Sequence, residues 1–202
     1  MRPMLPRRTI QLARIFGIRV GVGISWFFVL FIYIFLFTPI FHSAMGGSDT
    51  KAYLVTVASV LAFFLSLAIH ELGHALVARR NGLQVIGIEL WALGGITRTS
   101  GAPESPGVQF RVAAAGPAAT LAVIAVSLVA GVVLANQHGY LAVATARSGE
   151  HFSASAVCLG FMVLINGVVL ALNMVPAFPL DGSQIVQAII WRITGSRSRA
   201  AL

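Results

Sequence analysis

Four stretches of this chain run for 18 residues or more without an Asp, Glu, Lys or Arg: Val20 to Phe41, Ala52 to His70, Val112 to Ala135 and Phe152 to Leu180. Each is long enough to cross a hydrocarbon core of roughly 30 Å as a helix. That medium offers no water to unpaired backbone N–H and C=O groups, so an isolated spanning run must bond to itself, which the α-helix does. The expected fold is an all-α polytopic membrane protein with at least four transmembrane helices, at about 20–42, 52–80, 110–135 and 153–175, and a further helix after 182. A composition of 57% hydrophobic and 10% charged residues is far from that of a soluble domain and agrees with this reading.

The net charge of +8 invites a nucleic-acid reading, but the placement of the basic residues gives a simpler account. Arg2, Arg7, Arg8, Arg14 and Arg19 precede the first span, and Arg79 and Arg80 follow the second. Arg98 and Arg111 precede the third, and Arg192, Arg197 and Arg199 follow the fourth. Only Lys51 and Arg147 fall in the other two connections. The positive-inside rule therefore puts the N-terminus, the 81–110 segment and the C-terminus in the cytoplasm, and no nucleic-acid partner is expected. The first apolar run is too long for a cleaved signal and is read as an uncleaved anchor. Cys158 stands alone within the fourth span, which excludes an intrachain disulfide and a multi-cysteine metal site.

The chain shows no internal repeat and no charged linker, so residues 1–202 are read as one domain. The connections His42 to Lys51 and Asn136 to His151 are short and belong to the exoplasmic side, and His42, His138 and His151 are read as solvated interfacial groups. The cytoplasmic connection differs in kind. Its segment 84–95, Gln84-Val85-Ile86-Gly87-Ile88-Glu89-Leu90-Trp91 and on to Gly94-Gly95, is rich in β-branched residues and suggests one or two short strands at the membrane surface. Ala113 to Ala119 offers a smooth helix face and is read as packing. The chain stops at Leu202 in a basic Ser/Arg sequence without a terminus signal, which leads us to expect a C-terminal continuation.

Ionisable groups inside a span cost on the order of 2.5–3.5 kcal/mol each, so each needs a reason. Here His70, Glu71 and His74 form His-Glu-x-x-His in the second span. On a helix, residues four apart share a face, so two neutral imidazoles can bind one Zn²⁺ while Glu71 accepts a proton from the attacking water. A hydrolytic zinc site needs a third protein ligand. Asp49, Glu104 and Glu150 lie in loops and Glu89 in the strand-like segment, whereas Asp181 closes the longest apolar run. Pro176 and Pro179 must interrupt the helix just before it. Counting about 1.5 Å per residue, His70 lies roughly 27 Å below Ala52, and Asn173 roughly 32 Å below Phe152, so both belong to the cytoplasmic half. A competing role for Asp181, capping the helix that follows, stays open at this point.

These residues resemble the site-2 protease family of intramembrane zinc metalloproteases, in its short-loop form without an inserted PDZ domain. The likeness rests on His70-Glu71-Leu72-Gly73-His74, Gly94-Gly95, Ala115-Gly116-Pro117 and Asn173 through Asp181-Gly182, in that order. It implies His70, His74 and Asp181 as ligands to one Zn²⁺ per chain, with Glu71 as general base. It further implies that Asn173 helps to polarise the scissile carbonyl, and that segment 84–95 offers a strand edge to an unwound substrate helix. The substrates it implies are membrane-anchored regulators such as anti-sigma factors, or signal-peptide remnants, cleaved within the bilayer of a bacterial inner membrane. Members of this type often carry two further spans and a pair of CBS domains. Ser183 departs from the second Gly that usually follows Asp-Gly. A non-proteolytic zinc transporter or metal sensor using the same ligands is the alternative, although such a site has no special need for Glu71.

Overall fold

The structure, a computed structural model, describes residues 9–92, 94–134 and 151–197. Arg2, Arg7, Arg8 and Arg199, and most of the 136–151 connection with His138, Arg147 and Glu150, lie outside the described residues. Among the described residues the order is β1 (Thr9–Ile15), β2 (Ile18–Gly23), α1 (Ile24–Met45), α2 (Asp49–Arg80), β3 (Gln84–Trp91), β4 (Gly94–Ser100), α3 (Pro106–Leu134), α4 (Ala154–Asn173) and α5 (Asp181–Thr194). The helices α1 to α4, of 22, 32, 29 and 20 residues, are long and apolar enough to cross a membrane. Only 11% of the most apolar window of α1 is buried within the protein, so its Phe28, Phe31 and Phe35 present their rings outward, as a lipid-facing helix does.

The sheet is larger than segment 84–95 alone suggests. Four strands run in the order β1-β2-β3-β4, with both hairpins antiparallel and β2 parallel to β3. The unexpected part is the β1–β2 hairpin, whose second strand takes residues 20–23 from the apolar run that reads as the start of the first span. Val20-Gly21-Val22-Gly23 is uncharged like the helix after it, so hydropathy does not separate the two. The separation comes from pairing, Val20 with Ile88 and Val22 with Leu90, which buries all four side chains on one face. The hairpin turns at Phe16-Gly17, both with positive φ, and the Arg79 guanidinium at the end of α2 donates to the Phe16 carbonyl at 2.6 Å.

The chain divides into two compact units. One comprises Met1–Trp26, Leu67–Thr120 and Leu170–Leu202, and so holds the sheet, the last part of α2, the first part of α3 and α5. The other comprises Phe27–Ser66 and Leu121–Val169. The second unit is packed by aromatic side chains: Tyr33 stacks on Phe63 at 5.8 Å, and Phe161 meets Phe37 and Phe41 edge-on at 4.9 and 5.5 Å. It also holds a buried polar link, in which Ser66 Oγ donates to Asn166 Oδ1 at 2.7 Å and Asn166 Nδ2 donates to the Met162 carbonyl at 2.9 Å. Interhelical bonds of this kind contribute on the order of 0.6–2 kcal/mol in membranes. Asn166→Leu should therefore lower the stability of the purified protein by about 1 kcal/mol in a denaturation series. An unchanged midpoint would show that the link holds nothing together.

Candidate metal centre

All the side chains of this centre belong to the unit that contains the sheet. The helical repeat of α2 brings His70 and His74 to one face, with their Nε2 atoms 3.1 Å apart. Asp181, the first residue of α5, points its carboxylate at the same place. Its Oδ2 lies 3.1 Å from His70 Nε2 and its Oδ1 3.2 Å from His74 Nε2. Leu180, not Asp181, is the N-cap of α5, so the carboxylate is free of the capping role. With zinc bonds of about 2.0–2.1 Å, the ligand atoms of a tetrahedral site stand about 3.3 Å apart. His70, His74 and Asp181 each bring one ligand atom within 4.8 Å of the other two, and a tetrahedral ion held by the three would keep one corner for water or substrate.

The surroundings fit a cation at this point. His74 Nδ1 donates to the Val112 carbonyl at 2.7 Å; a carbonyl only accepts, so a neutral His74 turns the lone pair of Nε2 inward. His70 Nδ1 bonds Thr120 Oγ1 at 2.8 Å. The inward lone pair of His74 Nε2 and the Asp181 carboxylate, 3.2 Å apart, repel one another unless a positive charge sits between them. Asp181 Oδ2 is buried without a hydrogen-bond partner despite its closeness to His70 Nε2, as expected of an acceptor oxygen that faces a cation site. The small residues of α3 make this possible, and here the structure goes beyond the packing role read from the sequence. A Cβ at Gly116 would fall under 3 Å from both Nε2 atoms, and one at Gly73 would strike the Ala115 carbonyl. Gly182 serves α5 in the same way, because a Cβ there would collide with the Met174 and Val175 carbonyls.

Glu71 is buried, at 6% exposure, and faces β4. Its Oε2 accepts from Thr97 Oγ1 at 2.8 Å, and a Cβ on Gly95 would overlap its carboxyl group. Asn173 is the last residue of α4, half-buried, and its amide has no hydrogen bond among the described residues. The structure thus brings His70, His74 and Asp181 together, with Glu71 next to them in sequence, and sets Asn173 before the 174–180 connection that leads to Asp181. Ser183 is accommodated: its hydroxyl donates to the Leu180 carbonyl at 2.7 Å, in the first turn of α5. Sequence reasoning missed Thr97 and Thr120, and gave Gly95 and Gly116 no place at the side chains they border. Thr120 carried a usable signal, as a polar residue in an apolar span.

A profile of peptidase family M50 matches residues 58–201. Rip3 of Mycobacterium tuberculosis is 33% identical over 198 residues, which cover 97% of this chain and 47% of Rip3. The protein sll0528 of Synechocystis is 30% identical over 196 residues, 96% of this chain and 47% of its own length. MJ0392 of Methanocaldococcus jannaschii is 28% identical over 190 residues, 90% of this chain and 45% of its own. The words zinc metalloprotease stand in all three names, and the chain spans about half the length of these relatives. The site-2 protease from Methanocaldococcus jannaschii superposes with a TM-score of 0.60 at 23% identity, over 91% of this chain and 72% of that one, and so shares the fold. A profile match that runs from the second span through the last helix, with relatives aligned over nearly the whole chain, means that this integral membrane protein belongs to peptidase family M50, the site-2 protease-like zinc metalloproteases.

Proposed function

We propose that the protein is an intramembrane zinc metalloendopeptidase that hydrolyses a peptide bond in or near the transmembrane segment of a membrane-protein substrate. The observation that carries this reading is the convergence of His70 Nε2 and His74 Nε2, 3.1 Å apart, on the Asp181 carboxylate, whose two oxygens lie 3.1 and 3.2 Å from one nitrogen each, with a buried carboxylate one residue from His70. One Zn²⁺ per chain would be held by these three residues; when bound, it supplies Lewis acidity, lowering the pKa of water and polarising a carbonyl. Glu71 takes the proton of the attacking water and passes it to the leaving amine. Asn173, with its amide uncommitted, donates to the developing oxyanion. The strand edge expected of segment 84–95 does not lie on β3, which is paired with β2 on one side and β4 on the other; among the described residues the edge is that of β4, where an unwound substrate can pair and present an extended bond.

The charge distribution supports a multi-pass chain in a bacterial inner membrane with the N-terminus in the cytoplasm, and cleavage in the cytoplasmic half. Residues 1–202 then act as a single protease domain. Anti-sigma factors and signal-peptide remnants, processed in regulated intramembrane proteolysis, are the substrate class we favour. The test is reconstitution of the full chain in liposomes with a fluorescent single-span peptide. We expect cleavage that a zinc chelator stops and added Zn²⁺ restores. Zinc flux across the liposome without any cleavage would instead establish the transporter reading.

A further inference from the structure

The Glu71 carboxyl group borders β4, and two features of that strand act on it. Thr97 pairs with Ile88 and Gly95 with Leu90, so both lie on the sheet face that carries the buried Ile88 and Leu90. Gly95 supplies space, since any side chain there would occupy the volume of the Glu71 carboxyl. Thr97 supplies a donor: its Oγ1 is 2.8 Å from Glu71 Oε2 and 3.0 Å from the Glu71 main-chain carbonyl. One hydroxyl has one proton to give. The carboxylate is the stronger acceptor because it is charged, and the carbonyl lies within α2, where helical bonding already serves it. A glutamate has three rotatable bonds, whereas a β-branched threonine in a strand is stiff at χ1.

We propose that Thr97 is a positioning residue that holds the Glu71 carboxylate in the orientation proton transfer requires. The inference rests on the reading of Glu71 as general base. It also gives β4 a second task, because the strand that orients the base is the edge strand on which an extended substrate pairs. Substrate binding that stiffens β4 then stiffens the base as well.

The test uses the full chain in liposomes with the fluorescent single-span peptide, and a peptide hydroxamate as a second probe, since its N–OH group donates to a carboxylate placed beside a zinc site. Thr97→Val keeps the shape and removes the hydroxyl. It should lower kcat about tenfold to hundredfold, the scale expected of a slightly misplaced catalytic group, with KM and zinc content unchanged. Hydroxamate affinity should fall about tenfold. Thr97→Ser should restore both readouts to within about threefold. In a Glu71→Asp background, where the shorter side chain no longer reaches Thr97, the Val change should have no further effect. Wild-type kcat and hydroxamate affinity in Thr97→Val, or equal losses in the Val and Ser variants, would overturn the proposal. If the Val variant does not assemble, Thr97→Ala against Thr97→Ser makes the same comparison. Glu71→Gln separates the two levels of the argument: an active Gln variant removes the base itself, whereas an inactive one beside a normal Val variant removes only the role of Thr97.

Discussion

Glu71→Gln is expected to reduce peptide cleavage by about 10²–10⁴-fold, the range that a positioned general base contributes, while bound zinc and folding stay unchanged. The amide has nearly the same shape as the carboxylate, and its nitrogen or oxygen can meet Thr97 in the same place, so the cradle formed by Gly95 and Thr97 is not disturbed. What is lost is a group that can take a proton. Because Glu71 is not one of the three residues whose ligand atoms converge, the metal content should not follow the activity. A Gln variant that cleaves at the parent rate would remove Glu71 from the mechanism. One that loses zinc along with activity would instead make Glu71 part of the metal site.

Asp181→Ala is expected to weaken zinc binding by at least about 10²-fold and to abolish cleavage with it. Changes to the outer partners of a metal site already cost about 10–100-fold in affinity, and here a direct donor would be removed. Two imidazoles would remain, with the carboxylate that faces both of them gone. The effect should also be visible without any substrate, because zinc that binds only the folded state stabilises it by about 2.7 kcal/mol at 100 times its Kd. The parent should therefore gain thermal stability on adding zinc, and the variant should not. In zinc-free buffer the order should reverse or level, since the variant no longer has a buried carboxylate oxygen without a partner. Gly116→Val should imitate the loss by another route, as its side chain would enter the space between His70 and His74. Stoichiometric zinc retained in Asp181→Ala would disprove its place as the third ligand.

Much of this centre could be read from residue types and spacing, because the constraints are local or absolute. A helix fixes the relation of His70 to His74 within four residues, and the low dielectric of the membrane makes every ionisable side chain in a span conspicuous. Asp181 was reachable only by depth, topology and the family resemblance together, since few acidic residues exist and the others lie elsewhere. The hairpin at 9–23 was not reachable in this way. Its Val-Gly alternation runs directly into an apolar helix, and what makes residues 18–23 a strand is a partner more than sixty residues away, in register at Val20 with Ile88.

Thr97 and Gly95 were hidden for a related reason. Nothing in the local sequence says which face of β4 meets Glu71; that depends on the β3–β4 register and its irregularity between Val85 and Gly87, since a slip of one residue would turn both away. The sequence by itself determined a membrane-spanning helical protein, its sidedness as an expectation, and a set of metal-binding residue types. Only the tertiary structure decided that the outer nitrogens of the histidines are tied to Val112 and Thr120, that Gly116 leaves room between them, and that a strand holds the carboxylate. Periodicity and the cost of burying charge act along the chain and can be read from it, whereas close approach and hydrogen-bond direction exist only once distant segments have met.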